Sequence, residues 1–259
     1  MKVMITTIAA LAMLCATLPA ADDALQTNSD ALRAAVDGKK GAAEIKRLSI
    51  AVFADAKKQM GPAPADADKE NWDAHVKYAQ QVSEYAEYAL YSASVGAPAA
   101  TAIDMISTLE AQAPKSKYLT QDAYLVVANA AMTGQQGDRA AAFARRSLTA
   151  PKGAKPDQAT AQAHYIIGVV AATSAKKDYA TADKELRASL TGIKGIPAME
   201  GPAYFFLGEA DYTLGRQGMD RAQADQGIQF LVKCSLIPGQ YQASAVTEAK
   251  RMKTELGEK

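Results

Sequence analysis

The sequence predicts an all-α protein: an α-solenoid of antiparallel helix pairs preceded by an N-terminal helical hairpin. One reason is composition. The chain of 259 residues is 49% hydrophobic but only 7% aromatic, and much of its apolar fraction is alanine, which favours closely packed helices over sheets. The other reason is a helix–turn–helix unit that recurs along the chain with apolar residues at helical spacing.

Three similar segments follow one another at intervals of about forty residues. They begin at Tyr124, His164 and Tyr204, and each has a ring side chain, an aliphatic residue three positions later and then Ala or Gly. A turn and a second apolar-periodic stretch follow each segment, and a glycine or proline ends it. Because a lone helical hairpin leaves one apolar stripe in water, we expect each unit to stack on the next.

Small residues recur at one position of the three units, namely Ala128, Gly168 and Gly208. We predict that they mark the closest approach of the two helices of each pair. The alternative is that a glycine inside a helix costs about 1 kcal/mol and marks a kink or a loop. In the third unit we also predict a turn at Gly215–Gly218 and a polar insertion at Gln217–Gln226.

Helices are predicted on both sides of these units. Residues 22–62 are predicted to form the N-terminal helical hairpin and residues 69–256 the helical repeat domain, with the proline-containing segment Gly61–Asp68 as the loop between them. A fourth, weaker unit is predicted over Trp72–Leu109. A C-terminal helix over Tyr241–Leu256 is expected to cover the last hairpin, as terminal repeats require.

Residues 1–21 are predicted to be a secretory signal peptide. Lys2 supplies a positive charge, Val3–Leu18 is uncharged and mostly apolar, and Ala20 and Ala21 offer small residues for cleavage. The apolar run is shorter than the ~20 residues of a spanning helix, and no second run of this kind follows, so we expect no integral membrane span. The predicted location is periplasmic or secreted.

The two cysteines leave one alternative open. Cys15 lies inside the apolar run and raises the possibility of a lipoprotein signal, but no small residue directly precedes it. If cleavage removes Cys15, Cys234 is the only thiol of the mature chain and has no internal disulfide partner. We therefore expect packing to stabilise the fold.

The string YFFLGEADYTLG over Tyr204–Gly215 resembles the first helix of a tetratricopeptide repeat, and the later string GIQFLVKCSLIP resembles the second helix. Lys177-Asp178-Tyr179 and Gly137-Asp138 are similar to the turn of that family. The resemblance covers roughly Trp72–Leu256, with degenerate units longer than the usual length of about thirty-four residues. It implies a right-handed array of antiparallel helix pairs with a concave face for peptides or protein segments, and it implies no catalytic residue.

Equivalent positions of the first helices give a candidate partner-binding groove, because the resemblance implies that they face the concave side. Asn129, Val169 and Glu209 share one register. Residues about one turn before and after them are expected to add apolar and aromatic groups. The alternative is that the bulky members are core residues between neighbouring hairpins. The candidate groove residues are Leu125, Asn129, Met132, Tyr165, Val169, Ala172, Phe205, Glu209 and Tyr212.

The sequence lacks the patterns of common catalytic and metal sites. His75 and His164 do not stand in a metal-ligand pattern, and there is no Gly-x-Ser-x-Gly elbow, phosphate-binding glycine loop or dinucleotide fingerprint. We therefore predict a protein that is not an enzyme and needs no cofactor or metal. A hydrolase that uses paired carboxylates, such as those of Glu209 and Asp211, is the remaining catalytic alternative.

The charge balance gives no reason to expect a nucleic-acid partner, since 29 Lys and Arg face 28 Asp and Glu. The leading functional prediction is an exported, non-catalytic scaffold or adaptor that presents a concave helical groove to a protein or peptide. The alternative is a periplasmic binding or carrier module for a small ligand or cell-wall fragment.

Overall fold

The computed structural model describes residues 23–63 and 68–257, and these residues form eleven α-helices and no strand. The prediction of an all-α protein is thus confirmed. The predicted signal peptide and Cys15 lie outside the described residues. The helices are α1 (Asp23–Asp37), α2 (Ala42–Gln59), α3 (Lys69–Ser94), α4 (Ala99–Gln112), α5 (Gln121–Thr133), α6 (Gly137–Thr149), α7 (Pro156–Thr173), α8 (Tyr179–Ile193), α9 (Pro197–Gly218), α10 (Arg221–Ser235) and α11 (Gln242–Glu255).

Each helix packs against the next one in the chain, from α1 on α2 through to α10 on α11. Odd-numbered helices also contact one another in order, so that α5 touches α7 and α7 touches α9. Among the even-numbered helices of the described chain, only α2 and α4 make such a contact. This neighbour-to-neighbour packing is consistent with a helical repeat. Within the described ranges, no helix has the length and apolarity needed to cross a membrane.

Side chains cap the start of four helices. Asp68 accepts hydrogen bonds from backbone N–H groups of α3, and Thr120, Asp178 and Asp220 do the same for α5, α8 and α10. Such a cap satisfies a backbone donor that has no partner within the helix and contributes about 1 kcal/mol. These short polar residues therefore fix where each helix begins.

Glycines set the distance between α7 and α8 and between α9 and α10. A Cβ atom on Gly168 would lie 2.6 Å from Cγ of Leu186, and one on Gly208 would lie 2.5 Å from Cγ of Leu231. Both leucines are fully buried. As predicted, these glycines mark the close approach of successive helices, and the same glycine–leucine contact recurs in two units. Ala128, at the equivalent position of α5, is also fully buried.

The turn of the third unit is not where the sequence predicted it. Helix α9 continues to Gly218, the turn consists of Met219 and Asp220, and α10 begins at Arg221. The predicted turn was wrong because Gly215 is a packing residue, and most of the polar stretch Gln217–Gln226 is helical, at the end of α9 and the start of α10. A Cβ atom there would lie 2.4 Å from the backbone nitrogen of Ala224, so the glycine lets α9 and α10 come together.

The core runs along the chain in two clusters of buried side chains. The first extends from Leu25 in α1 to Val170 in α7, and the second from Ala161 in α7 to Met252 in α11. Met132 and Tyr165 pack against both clusters. The two N-terminal helices therefore share one core with the helices that follow them, and α7 joins the two halves.

Candidate functional site

The predicted groove residues differ in their exposure to solvent. Those on α5 and α7 include accessible side chains, whereas those on α9 are largely covered. Asn129 is exposed, and Met132, Tyr165 and Glu209 are half-buried; Leu125, Val169, Ala172, Phe205 and Tyr212 are buried.

The C-terminal helix covers the groove residues of α9. The ring of Phe205 has its centroid 4.8 Å from that of Tyr241, which directly precedes α11. The hydroxyl of Tyr212 donates a hydrogen bond to Oε2 of Glu255 in α11, at 2.7 Å. Phe205 and Tyr212 therefore pack between α9 and α11, and the accessible part of the predicted groove lies on α5 and α7.

Replacing Tyr212 by phenylalanine tests this docking of α11. We expect Tyr212→Phe to lower the free energy of unfolding by about 1 kcal/mol, because it keeps the ring and loses the hydrogen bond to Glu255. The measurement is chemical denaturation. Tyr179→Phe is the matched control, since the Tyr179 hydroxyl makes no hydrogen bond within the described residues. Equal losses in the two variants would argue against the docking.

Two hollows adjoin on the accessible side of α5, and Val126 and Asn129 line both of them. The hollow between α5 and α7 has a volume of about 360 Å³, and the hollow beside the α3–α4 connection has one of about 460 Å³. Leu125 and Ala159 line the first hollow with apolar groups, and exposed polar side chains surround them. The first hollow is lined by Asp122, Leu125, Val126, Asn129, Ala154, Lys155, Gln158, Ala159 and Gln162.

An amide pair joins α5 to α7 at the edge of the first hollow. The Nε2 group of Gln162 donates to Oδ1 of Asn129 at 3.1 Å, and Nδ2 of Asn129 donates to the carbonyl oxygen of Leu125 at 2.8 Å. Within the described residues this leaves one N–H of each amide and Oε1 of Gln162 without a bond. A side-chain amide both donates and accepts, so the pair can bond to a peptide backbone.

Asp122 holds the opposite edge of that hollow. Its Oδ2 accepts a hydrogen bond of 3.0 Å from the backbone nitrogen of Ala154. A Cβ atom on Gly153 would lie 2.2 Å from the same oxygen, so a larger residue there would have to displace the Asp122 carboxylate. The connection between α6 and α7 is thereby attached to the first turn of α5.

Glu209 and Asp211, which the alternative of a hydrolase would need as an acid and base pair, have different neighbours. Burial raises the pKa of Glu209, which lies near Lys177, Glu248 and Arg251. Asp211, by contrast, has no exposed surface and accepts a hydrogen bond from Arg187. The structure thus does not arrange Glu209 and Asp211 as an acid and base around one cleft.

Helices α8, α9 and α10 meet at a partly buried ionic cluster, in which Asp211 is buried and Arg187 and Asp183 are half-buried. Arg187 in α8 donates from Nη2 to Oδ2 of Asp211 and from Nε to Oδ1 of Asp183, each at 2.5 Å. Gln223 in α10 donates to the other Asp211 oxygen at 3.5 Å, and the guanidinium lies 5.2 Å from the ring of Phe230. Burial raises the pKa of Asp211 to about 6, although Arg187 favours its ionised form.

His164 links α7 to α8. Its Nδ1 lies 2.6 Å from Oε2 of Glu185, and both side chains are largely buried. Across residues 23–63 and 68–257, no group of three or more His, Cys, Asp or Glu residues is placed to hold a metal ion.

Sequence reasoning missed a cluster of tyrosines on α3, which we call the tyrosine cluster: Tyr85, Tyr88, Tyr91 and Tyr118. Ring centroids are 6.1 Å apart for Tyr85 and Tyr88, 6.0 Å for Tyr88 and Tyr118, and 5.7 Å for Tyr91 and Tyr118. The three-residue spacing along α3 is the signal that locates it, because residues i and i+3 share a helix face. Tyr118 joins from the α4–α5 connection.

Comparison of the chain with protein-family models, curated proteins and solved structures gave no match. The candidate site is therefore defined by geometry alone. Its parts are the two hollows that meet at Val126 and Asn129, and, separately, the tyrosine cluster on α3.

Proposed function

We propose that the protein is a non-catalytic scaffold or adaptor that presents a helical surface to another protein or an extended peptide. The observation that carries this proposal is the pair of adjoining hollows at Val126 and Asn129. Apolar groups lie inside them, and amide groups with unused bonding capacity lie at their edge. This combination suits a peptide, which brings side chains and backbone N–H and C=O groups together.

In the proposed architecture, the helices form a solenoid of antiparallel pairs, and the odd-numbered helices lie on its concave side. Short connections join helices that pack on each other, which favours antiparallel neighbours. Odd-numbered helices touch in series, and the even-numbered helices from α4 onward do not touch one another within the described chain. In a curved array of helices, the row of helices that touch one another lies on the inner, concave side, and the row of helices that stand apart lies on the outer, convex side. The resemblance to tetratricopeptide repeats supports the same arrangement.

The second hypothesis, a carrier of a small ligand or cell-wall fragment, receives less support from the shape of these hollows. Pockets for small ligands typically enclose about 70–90% of the ligand surface. The side chains of Asn129, Lys155 and Gln158 around the first hollow are themselves exposed. A shallow surface of this kind suits a partner that extends beyond it.

The proposal also includes export to the periplasm or secretion, which rests on the pattern of residues 1–21. Mass spectrometry of the protein recovered from its native cell envelope or medium tests this part. We expect a mature chain that starts near Ala21 or Asp22. A full-length chain that stays in the cytoplasm would remove export from the proposal.

Replacing both amides tests the binding surface. We expect Asn129→Ala combined with Gln162→Ala to weaken binding of peptides selected from a random library on the wild-type protein by about thirtyfold, since each of two hydrogen bonds contributes about 1 kcal/mol. The free energy of unfolding should change by less than about 1 kcal/mol, because both groups reach solvent. Fluorescence anisotropy measures the affinity.

Arg145→Ala, an exposed change on α6, is the control and should leave the affinity unchanged. Selection of no peptide at all, together with thermal stabilisation by glycan fragments or metabolites, would favour the second hypothesis instead. Peptide binding that the double variant leaves intact would place the binding surface elsewhere.

A further inference from the structure

Two carboxyl groups share one edge of the Arg187 guanidinium. Its Nε donates to Oδ1 of Asp183 and its Nη2 donates to Oδ2 of Asp211, each at 2.5 Å. These two nitrogens form one edge of the guanidinium, and such an edge binds both oxygens of a single carboxylate in a bidentate ion pair. Asp183 and Asp211 therefore lie side by side, within hydrogen-bonding reach of each other, and we call them the carboxyl pair.

In this cluster one cation is bonded to two carboxyl groups. The side chain of Asp211 has no exposed surface, and that of Asp183 is 22% exposed. Two like charges this close together and largely out of water are costly to ionise at the same time, so the first proton is held tightly. A protonated carboxyl group can donate a hydrogen bond, which lets Asp211 bond to Asp183 instead of repelling it. The geometry thus favours one proton on the carboxyl pair.

Charged groups on the other helices around α9 are bonded elsewhere. Helices α7, α8, α10 and α11 all pack on α9. From α10, Gln223 reaches the second oxygen of Asp211 at 3.5 Å with an uncharged amide. The other charged groups of these helices with bonds of their own are His164 with Glu185, Arg221 with Asp225, and Arg251 with Glu248 and Glu255. The proton of the carboxyl pair is therefore governed mainly by Arg187 and by the two carboxyl groups themselves.

The same cluster links α10 to α8. Within the described chain, the helices that α10 packs on are α9 and α11. The Arg187 guanidinium lies 5.2 Å from the centroid of the Phe230 ring in α10, and Gln223 of α10 reaches Asp211. Ionisation of both carboxyl groups leaves one negative charge in excess at this link. Opening of the link brings that charge into water, so ionisation favours the open state.

We propose that Asp183 and Asp211 hold one proton between them in mildly acidic surroundings and release it near neutral pH, and that its release loosens the attachment of α10 to α8 and α9. The fold thereby contains a pH-sensitive joint before its last two described helices. This inference does not depend on the proposed binding function, because it concerns other residues and needs no ligand.

The direction of the effect follows from the two states of the joint. In the closed joint, burial raises the pKa of Asp211 to about 6 from an ordinary value of 3.8, and opening restores the ordinary value. The closed state is therefore favoured at low pH, and this preference is lost as the pH rises through about 6. Since pH 5 lies about one unit below the raised pKa, we expect opening to become about tenfold more frequent between pH 5 and pH 7.5.

Hydrogen–deuterium exchange of the purified protein at pH 5 and pH 7.5, read by mass spectrometry, tests the proposal. The rates are corrected for the pH dependence of exchange in free amides. We expect amides of α10 and α11 to exchange through opening about tenfold more at pH 7.5, and amides of α1–α6 to change much less. An equal change along the whole chain would overturn the proposal of a local joint.

Three aspartate-to-asparagine variants assign the effect. Asp211→Asn should abolish the pH response and protect α10 as in the wild type at pH 5, because an amide donates to Asp183 and accepts from Arg187 as the protonated acid does. Asp183→Asn should reduce the response, since Asp211 then has the guanidinium without a competing carboxylate. Asp104→Asn changes an exposed carboxylate on α4, so this matched control should keep the tenfold response.

Carbon-13 NMR of the aspartate carboxyl groups gives a readout that does not depend on stability. We expect the carboxyl pair to titrate in two steps, the upper one at about pH 6, and this step to vanish in Asp211→Asn. The proposal is overturned if both groups titrate below about pH 5, or if Asp211→Asn keeps the tenfold exchange response. Should Asp211→Asn fail to fold, an unchanged wild-type response in Asp183→Asn overturns it instead.

Discussion

Replacing Gly227 by alanine is expected to lower the free energy of unfolding by about 3 kcal/mol. A Cβ atom at this position would lie 2.6 Å from the backbone nitrogen of Tyr212 and 2.7 Å from the carbonyl oxygen of Gly208. Both atoms belong to the backbone of α9, so the clash is relieved only if α9 and α10 separate. This cost exceeds the gain of about 1 kcal/mol that alanine brings to a helix interior. Chemical denaturation followed by circular dichroism measures the change.

Gly218→Ala is the matched control for this experiment. Gly218 is the last residue of α9, and a Cβ atom there would meet no heavy atom within 4 Å. We expect the free energy of unfolding to stay the same or rise by up to about 1 kcal/mol. A wild-type stability in Gly227→Ala, or the same loss at both glycines, would contradict the close contact of α9 with α10.

Replacing Arg187 by methionine is expected to destabilise the protein by about 2–3 kcal/mol at pH 8, because it leaves the buried Asp211 carboxylate without its cation; the 36% exposure of Arg187 keeps the loss below that of a fully buried pair. The loss should be clearly smaller at pH 5, where Asp211 takes up a proton. Urea denaturation of wild type and variant at the two pH values gives the comparison.

The direction of this pH dependence follows from Asp211. Its pKa is raised to about 6 in the folded protein from an ordinary value of 3.8, so the folded state binds the proton more tightly. The contribution of Asp211 to stability is therefore present below about pH 4 and is lost as the pH rises through about 6. Removal of Arg187 raises the pKa of Asp211 further and widens the difference between pH 5 and pH 8.

Two further variants make the Arg187 experiment decisive. Combining Arg187→Met with Asp211→Leu removes the unpaired charge and should recover most of the lost stability. Arg47→Met breaks an exposed ion pair with Glu44 and should leave the stability nearly unchanged at either pH, because solvent screens such a pair. A loss in Arg187→Met that does not depend on pH would mean that packing, and not charge, explains it.

Local sequence patterns predicted much of this fold. Apolar residues at helical spacing located the helices, and the recurrence of Gly168 and Gly208 located the close contacts with Leu186 and Leu231. Gly215 shows the limit of such reasoning. A glycine permits a turn and also permits two helices to approach, and its neighbours in sequence do not distinguish the two uses.

The site was harder to predict than the fold. The shared register of the first helices predicted Asn129, which is exposed beside the two hollows. The same prediction included Phe205 and Tyr212, which are covered by Tyr241 and α11. That covering is a contact between distant parts of the chain, so periodicity within α9 does not reveal it. The tyrosine cluster was missed for a similar reason, since Tyr118 comes from a different segment than the tyrosines of α3.

The attachment of the α6–α7 connection to Asp122 has a thermodynamic consequence for any ligand of the first hollow. Ala154 is already held by its hydrogen bond, and Gly153 lies directly against the carboxylate. This edge is therefore preorganised, and association freezes few additional backbone torsions there. Isothermal titration calorimetry should accordingly record only a small entropic penalty from the receptor side.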